Sequence, residues 1–282
     1  MLSPAIRRIA DWMADSHLLI AAAASAFTCS AYLQLSIPPD VPLIIFIGFA
    51  TFSTYNIQNR MGLSRSVGEK NFSTSWRPLI YAGVGVTGMA ACLIRMGNSM
   101  ILTWFILPGT LSLLYATPMF TFRRVRITLR EVPGLKIYLI LFVWLWVSAF
   151  IPYVSAGTSL TPDFVLFCMQ RALFLFALLI PFDIRDLKTD YAFQKTIPQM
   201  IGLRRSLWLA AVALSAYGLI AGFRWWDGSI DFSTFAGLIL TGIITSALIM
   251  RTHEDRSALY FTFLIDSMLW VQFVLIWLLK KF

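Results

Sequence analysis

Phe182-Asp183-Ile184-Arg185-Asp186-Leu187-Lys188-Thr189-Asp190 sets three carboxylates at spacings of three and four, directly after an apolar run over residues 172–182. On a helix of about 3.6 residues per turn, positions i, i+3 and i+7 share a face. The stretch reads as an acidic cluster with two bases, Arg185 and Lys188, at the mouth of a membrane helix. Asp183, Asp186 and Asp190 are candidate catalytic groups and candidate ligands for Mg²⁺, a hard cation that takes carboxylates and shares its shell with substrate phosphates. A solvated loop end with ion pairs along the helix accounts for the same residues.

The rest of the chain is built to surround such a helix. Of 282 residues, 58% are hydrophobic and 13% charged, and the mean hydropathy is +0.73. A soluble domain carries about 25% charged residues. The length holds roughly nine spans of about 20 residues with short loops. Apolar runs cover residues 17–37, 41–57, 78–94, 100–119, 135–155, 164–182, 206–223, 232–250 and 258–279. No hydrophilic domain or long linker interrupts them. The expectation is therefore all-α: a single transmembrane domain over 1–282, a polytopic bundle of about nine membrane helices. Residues 1–16 read as an amphipathic lead-in rather than a cleavable signal.

The net charge of +9 points to a topology signal rather than to nucleic acid. The N-terminus and the loops after runs two, four, six and eight hold 18 of the 23 Lys and Arg residues. The opposite side holds Arg95, Arg224, Lys280 and Lys281. By the positive-inside rule the N-terminus and large loops are cytoplasmic and the C-terminus is outside. The expected setting is a multi-pass protein of a bacterial inner membrane, with its site facing the cytoplasm. Cys29, Cys92 and Cys168 lie in apolar runs without motif spacing, which argues against a disulfide framework or zinc site. Gly83-Val-Gly85-Val-Thr-Gly88 matches a dinucleotide fingerprint by letter only. It lies inside a membrane run with no βαβ unit, and close helix packing explains it better.

Polar groups within spans are expensive, which makes each a functional candidate. Asp266 and Gln272 lie in run nine, Gln170 and Arg171 in run six, and an Asp266–Arg171 pair between helices is the expected structural use. The loop after run two opens with Asn56, Asn59 and Arg60, which offer amides and a guanidinium to a phosphate. The loop after run four carries Tyr115, Arg123, Arg124 and Lys136. A basic cluster there also serves topology or anionic membrane lipid. Together with Lys188, these three loops share one membrane face, where a pocket can bring phosphate-binding groups beside a lipid tail.

At these residues the sequence resembles the UbiA superfamily of membrane prenyltransferases, over nearly the whole chain. Asp183-Ile-Arg-Asp186-Leu-Lys-Thr-Asp190, followed by Lys195-Thr196-Ile-Pro198 and Gly202, looks like the family's second aspartate motif and its K-T-x-P segment. Leu114-Tyr115-Ala-Thr-Pro118 looks like its tyrosine segment, and Leu129-Arg-Glu-Val-Pro-Gly-Leu-Lys136 like the start of its fifth helix. The resemblance implies Mg²⁺ on two aspartate motifs, with Asp186 and Asp190 as ligands and Asp183 on the same face. It implies ionisation of a prenyl diphosphate and transfer of the prenyl group to a lipid-soluble acceptor. The first motif is degenerate here. With Asn56 on the family's asparagine, Ile57, Arg60 and Ser64 stand where aspartates are expected, and Met119 stands where a lysine is expected. In one account the protein is an enzyme with a single metal cluster, Arg60 meeting the diphosphate. In the other it is a catalytically inactive lipid-binding or scaffold protein of the same fold. Cyclisation of the prenyl chain is a further activity that suits the scaffold.

A secondary transporter is disfavoured by the absence of internal repeats or paired broken helices. Two histidines, His17 and His253, leave little for haem chemistry.

Overall fold

The computed structural model describes residues 12–61, 76–97, 100–117, 120–122, 125–188, 190 and 192–281. They form a polytopic helical bundle. Its nine principal helices are α1 (Leu18–Leu35), α2 (Val41–Arg60), α3 (Arg77–Met96), α4 (Ile101–Ala116), α5 (Leu135–Ser155), α6 (Pro162–Arg185), α7 (Leu203–Trp226), α8 (Phe232–Ile249) and α9 (Tyr260–Leu279). Eight are long and apolar enough to cross a membrane, and α4 is a shorter apolar helix. The nine runs and nine helices correspond one to one.

Local sequence explains where the helices begin. Asp40 caps α2 by accepting from Leu43 N–H at 3.0 Å, with a proline in the first turn. Thr161 caps α6 through Phe164 N–H, again ahead of a proline, and Asp231 caps α8 through Thr234 N–H. Short polar side chains accept the otherwise unpaired amides of a first turn, and proline lacks the amide that would need a partner.

The core lies between α1, α6, α7, α8 and α9, where Phe27, Phe174, Tyr217, Leu238, Phe261 and Ile276 are buried. Phe174 stacks between Phe27 at 6.1 Å and Tyr217 at 5.3 Å. Outward faces remain apolar: Ile80, Val84, Ile106, Val212, Leu219 and Ile243 are all exposed. Such a surface is costly in water and suited to hydrocarbon. Two glycines of the α3 pattern, Gly85 and Gly88, pack against α2, while a Cβ on Gly83 would meet nothing within 4 Å. A Cβ on Gly85 would meet the Ser53 side chain, with the Phe49 carbonyl oxygen at 3.0 Å, and one on Gly88 would strike the Phe49 ring.

Three features depart from the sequence reading. The loop after α4 contains a two-stranded hairpin, β1 (Phe120–Phe122) with β2 (Val125–Ile127), paired Phe120 to Ile127. Apolar residues alternate with Thr121 and Arg126 there, the period of a strand. The acidic stretch is not one continuous helix. α6 ends at Arg185, a 3₁₀ turn spans Asp186–Lys188, and an Asp190 N–H to Asp186 C=O bond of 2.8 Å keeps the rise helix-like. Arg171 and Asp266 do not pair. Arg171 donates instead to the Phe27 carbonyl at 2.8 Å, the Ser30 hydroxyl at 3.0 Å and the Ser148 hydroxyl at 3.3 Å, with its guanidinium 3.5 Å from the Phe27 ring centre. The extent of an apolar run places a span in the membrane, but a helix apolar on all sides gives little sign of its rotation about its axis.

Candidate functional site

The site is assembled where α5 begins and α6 ends. Thr128 starts a 3₁₀ turn, Leu129–Glu131, closed by a capping box in which Glu131 accepts from the Thr128 N–H at 2.7 Å and hydroxyl at 3.1 Å. Gly134 then adopts φ 71°, a left-handed conformation that favours glycine, and its N–H donates to the Gln194 carbonyl at 2.8 Å. That bond ties the start of α5 to the segment following α6. On the far side, Thr196 and Gln199 form a second capping box, and Gln199 reaches the Asp190 carbonyl.

These anchors bring Lys136 into the acidic stretch. Its Nζ lies 2.9 Å from Asp183 Oδ1, 3.1 Å from Asp186 Oδ2 and 2.9 Å from Asp190 Oδ2. Arg130 Nη2 lies 3.3 Å from Asp186 Oδ2 and 3.5 Å from Asp190 Oδ1, and Arg185 Nε donates to Asp186 Oδ1 at 2.8 Å. Burial works against the Arg130 charge, but facing Tyr115, Asp186 and Asp190 hold its pKa above the usual arginine value. Three cations meet three carboxylates.

A cavity of about 560 Å³ opens beside this cluster. Arg130, Lys136, Arg185, Asp186, Tyr115 and Asn59 line its polar end, and Leu139, Val143, Trp144, Leu175, Leu178 and Phe182 its apolar wall. Asp266 also lines it, from α9, and its carboxyl makes no hydrogen bond or ion pair with a described residue. The helix carrying it opens with a π-helical stretch, Tyr260–Ile265, a distortion often found at functional sites.

The other sequence candidates are dispersed. Asn56 is buried beside the cavity without lining it, and its amide donates to the carbonyls of Ser16 at 3.0 Å and Phe52 at 2.9 Å, a structural tie. Arg60 ends α2 and does not line the cavity. Lys188 turns away to Asp255 at 2.9 Å and Glu254 at 3.6 Å, pinning the α8–α9 loop. Arg123 and Arg124 lie outside the described residues. Sequence reading did not single out Arg130, Arg185, Gln58 or Tyr55, all of which line the cavity. The available signals were the position of Arg185 inside the acidic stretch and the Pro133-Gly134 turn between Arg130 and Lys136.

The donor set does not fit the magnesium ion that the resemblance implies. Asp183 Oδ1, both oxygens of Asp186 and both of Asp190 already face Lys136, Arg130 or Arg185, which is five of the six carboxylate oxygens. Asp183 Oδ2 alone is buried with no hydrogen-bond partner among the described residues. Octahedral Mg²⁺ asks for oxygens at about 2.0–2.1 Å, and an ammonium stands at the centre instead. Among the described residues no group of three or more His, Cys, Asp or Glu side chains is disposed to hold a metal.

No family model matches the chain, and no curated protein does. A solved structure described as a digeranylgeranylglyceryl phosphate synthase in membranes is similar over 95% of this chain and 94% of that one, with a TM-score of 0.56. The chain shares that protein's fold. At 11% identity the likeness carries the architecture alone, so the chemistry rests on the residues of this cavity.

A second buried cationic cluster occupies the other half of α6. Arg224 donates to Asp163 at 2.7 and 3.0 Å and to Gln170 at 3.2 Å. Gln272 donates to the Tyr217 hydroxyl, which donates to the Leu238 carbonyl. These side chains join α6, α7, α8 and α9, and none lines the cavity.

Proposed function

We propose that this protein is an intramembrane prenyltransferase, which binds a prenyl diphosphate and passes the prenyl group to a lipid-soluble acceptor. The observation that carries the reading is the division of one cavity into a cationic end and an apolar wall, within a fold shared with a synthase of a prenylated membrane lipid. Arg130 and Arg185 receive the diphosphate, guanidinium groups being suited to bidentate phosphate contacts, and Lys136 adds its charge beside them. Leu139, Val143, Leu175 and Leu178 receive the isoprenoid chain.

In the reaction, the bond between the allylic carbon and the diphosphate oxygen breaks, and its electron pair leaves with the diphosphate. The three cations offset that developing charge. The π face of Trp144 stabilises the allylic cation. A lone pair of the acceptor forms the new bond to the allylic carbon, and the displaced acceptor proton passes to Asp266, a carboxylate in the wall. With Lys and Arg concentrated at this end of the bundle, the cavity faces the cytoplasm.

The test is release of inorganic diphosphate from geranylgeranyl diphosphate by purified protein in mixed micelles with a membrane lipid extract. Release that falls at least tenfold in Arg130→Ala supports the reading, and absence of any release from the wild type rejects it. A second reading, lipid-phosphate binding without turnover, is favoured by the balance of three cations against three carboxylates. Thermal stabilisation by the same diphosphate with no release selects it.

A further inference from the structure

The cavity faces the cation held by the acidic triad and one carboxylate of that triad, Asp186. Lys136, Arg130, Arg185 and Asp186 line it, whereas Asp183 and Asp190 lie behind the lysine. An ammonium has three N–H donors and no acceptor. Lys136 Nζ stands within 3.1 Å of one oxygen from each of three carboxylates, a match of donor number to acceptor number.

We propose that Lys136 is the built-in cation of this site. It takes the place among Asp183, Asp186 and Asp190 that a divalent metal would fill, so the cavity receives a diphosphate without a metal ion. The identity of that ligand rests on the prenyl-diphosphate reading; the place of Lys136 does not.

Three observations support the assignment. The lysine is positioned by the fold, through the Thr128–Glu131 capping box, the left-handed Gly134 and its bond to Gln194. Lys136, Arg130 and Arg185 balance the three aspartates, so the cluster is neutral with no ion added. Among the described residues the cavity also lacks a second acidic group that would share a metal: its other carboxylates are Asp15, ahead of α1, and Asp266, on α9, and neither joins a metal-disposed cluster. This agrees with the sequence at the end of α2, where Ile57 and Arg60, with Ser64 beyond, supply no carboxylate. Arginine is a permanent cation that cannot ligate a metal.

The experiment has two arms on full-length protein in detergent. In the metal arm, Mn²⁺ is titrated and read by electron paramagnetic resonance. Wild type is expected to show no saturable site, while Lys136→Ala, with the triad uncovered, gains one site that Asp186→Asn removes, at least about tenfold tighter than any wild-type binding. A saturable wild-type site abolished by Asp186→Asn overturns the proposal, and so does a folded Lys136→Ala that gains no site. Should Lys136→Ala fail to fold, the isosteric Lys136→Met replaces it, and the wild-type titration stands in either case. In the ligand arm, the thermal shift from geranylgeranyl diphosphate is compared in EDTA and in Mg²⁺. Equal shifts are expected, and a shift confined to Mg²⁺ overturns the proposal. No shift in either buffer counts against the prenyl-diphosphate reading alone, and the Mn²⁺ arm then decides the role of Lys136.

Discussion

The two ends of α6 bury cations by opposite means. At the C-terminal end, Lys136 sits among three carboxylates beside a cavity. Toward the N-terminal end, Arg171 is wholly buried and bonds only to hydroxyls and carbonyls, stacked on Phe27, while Arg224 has a single carboxylate, Asp163. An arginine spreads its charge over a planar fork and is weakly hydrated, so neutral acceptors and a ring face suffice. A lysine is a compact, strongly hydrated charge and is almost never fully buried unless paired. One end is therefore a structural tie made from ordinary polar contacts. The other holds more acid than a tie requires and presents its cations to the cavity.

Substitutions at the two ends should separate these roles. The largest effect is expected at Lys136→Ala, which leaves the buried Asp183 without a cation and takes one from Asp186 and Asp190: a loss of about 3–5 kcal/mol in apparent unfolding free energy, measured by denaturant titration in detergent. Divalent cation should restore part of that loss, whereas it should do nothing for the wild type. Arg224→Leu comes next, at about 1–3 kcal/mol, because Asp163 is partly exposed and rehydrates when its partner is removed. Arg171→Met should change stability by about 1 kcal/mol or less, since a buried ion replaced by an apolar side chain of similar volume is often neutral. A loss as large as that at Lys136 would erase the distinction between the two ends. The smallest effect is expected at Lys188→Ala. Its hydrogen bond holds the Asp255 carboxyl below the usual range, but both groups are open to solvent. No measurable change in melting temperature should follow, at neutral pH or below it.

Much of this molecule is legible along the chain. Nine apolar runs foretell nine helices, because hydrocarbon thickness fixes how many residues a span needs. Asp40, Thr161 and Asp231 mark helix starts through chemistry confined to one turn. The convergence of Asp183, Asp186 and Asp190 follows from their spacing, even though the regular helix stops at Arg185. Other features leave no local trace. Asn56, Asn59 and Arg60 suggest phosphate ligands by residue type, yet the rotation of α2 brings only Asn59 of these to the cavity, beside Gln58. Asp266 and Arg171 suggest a charge pair, yet Arg171 points to α1 and α5.

By itself the sequence determined that this chain spans a membrane many times and gathers acids and bases at one end, since span length, charge bias and helical period are properties of neighbouring residues. Only the tertiary structure decided what those acids hold. Lys136 and Asp183 are far apart in sequence and 2.9 Å apart in space. A turn at Gly134 and the packing of α5 against α6 bring them together, and no periodicity along the chain encodes that meeting.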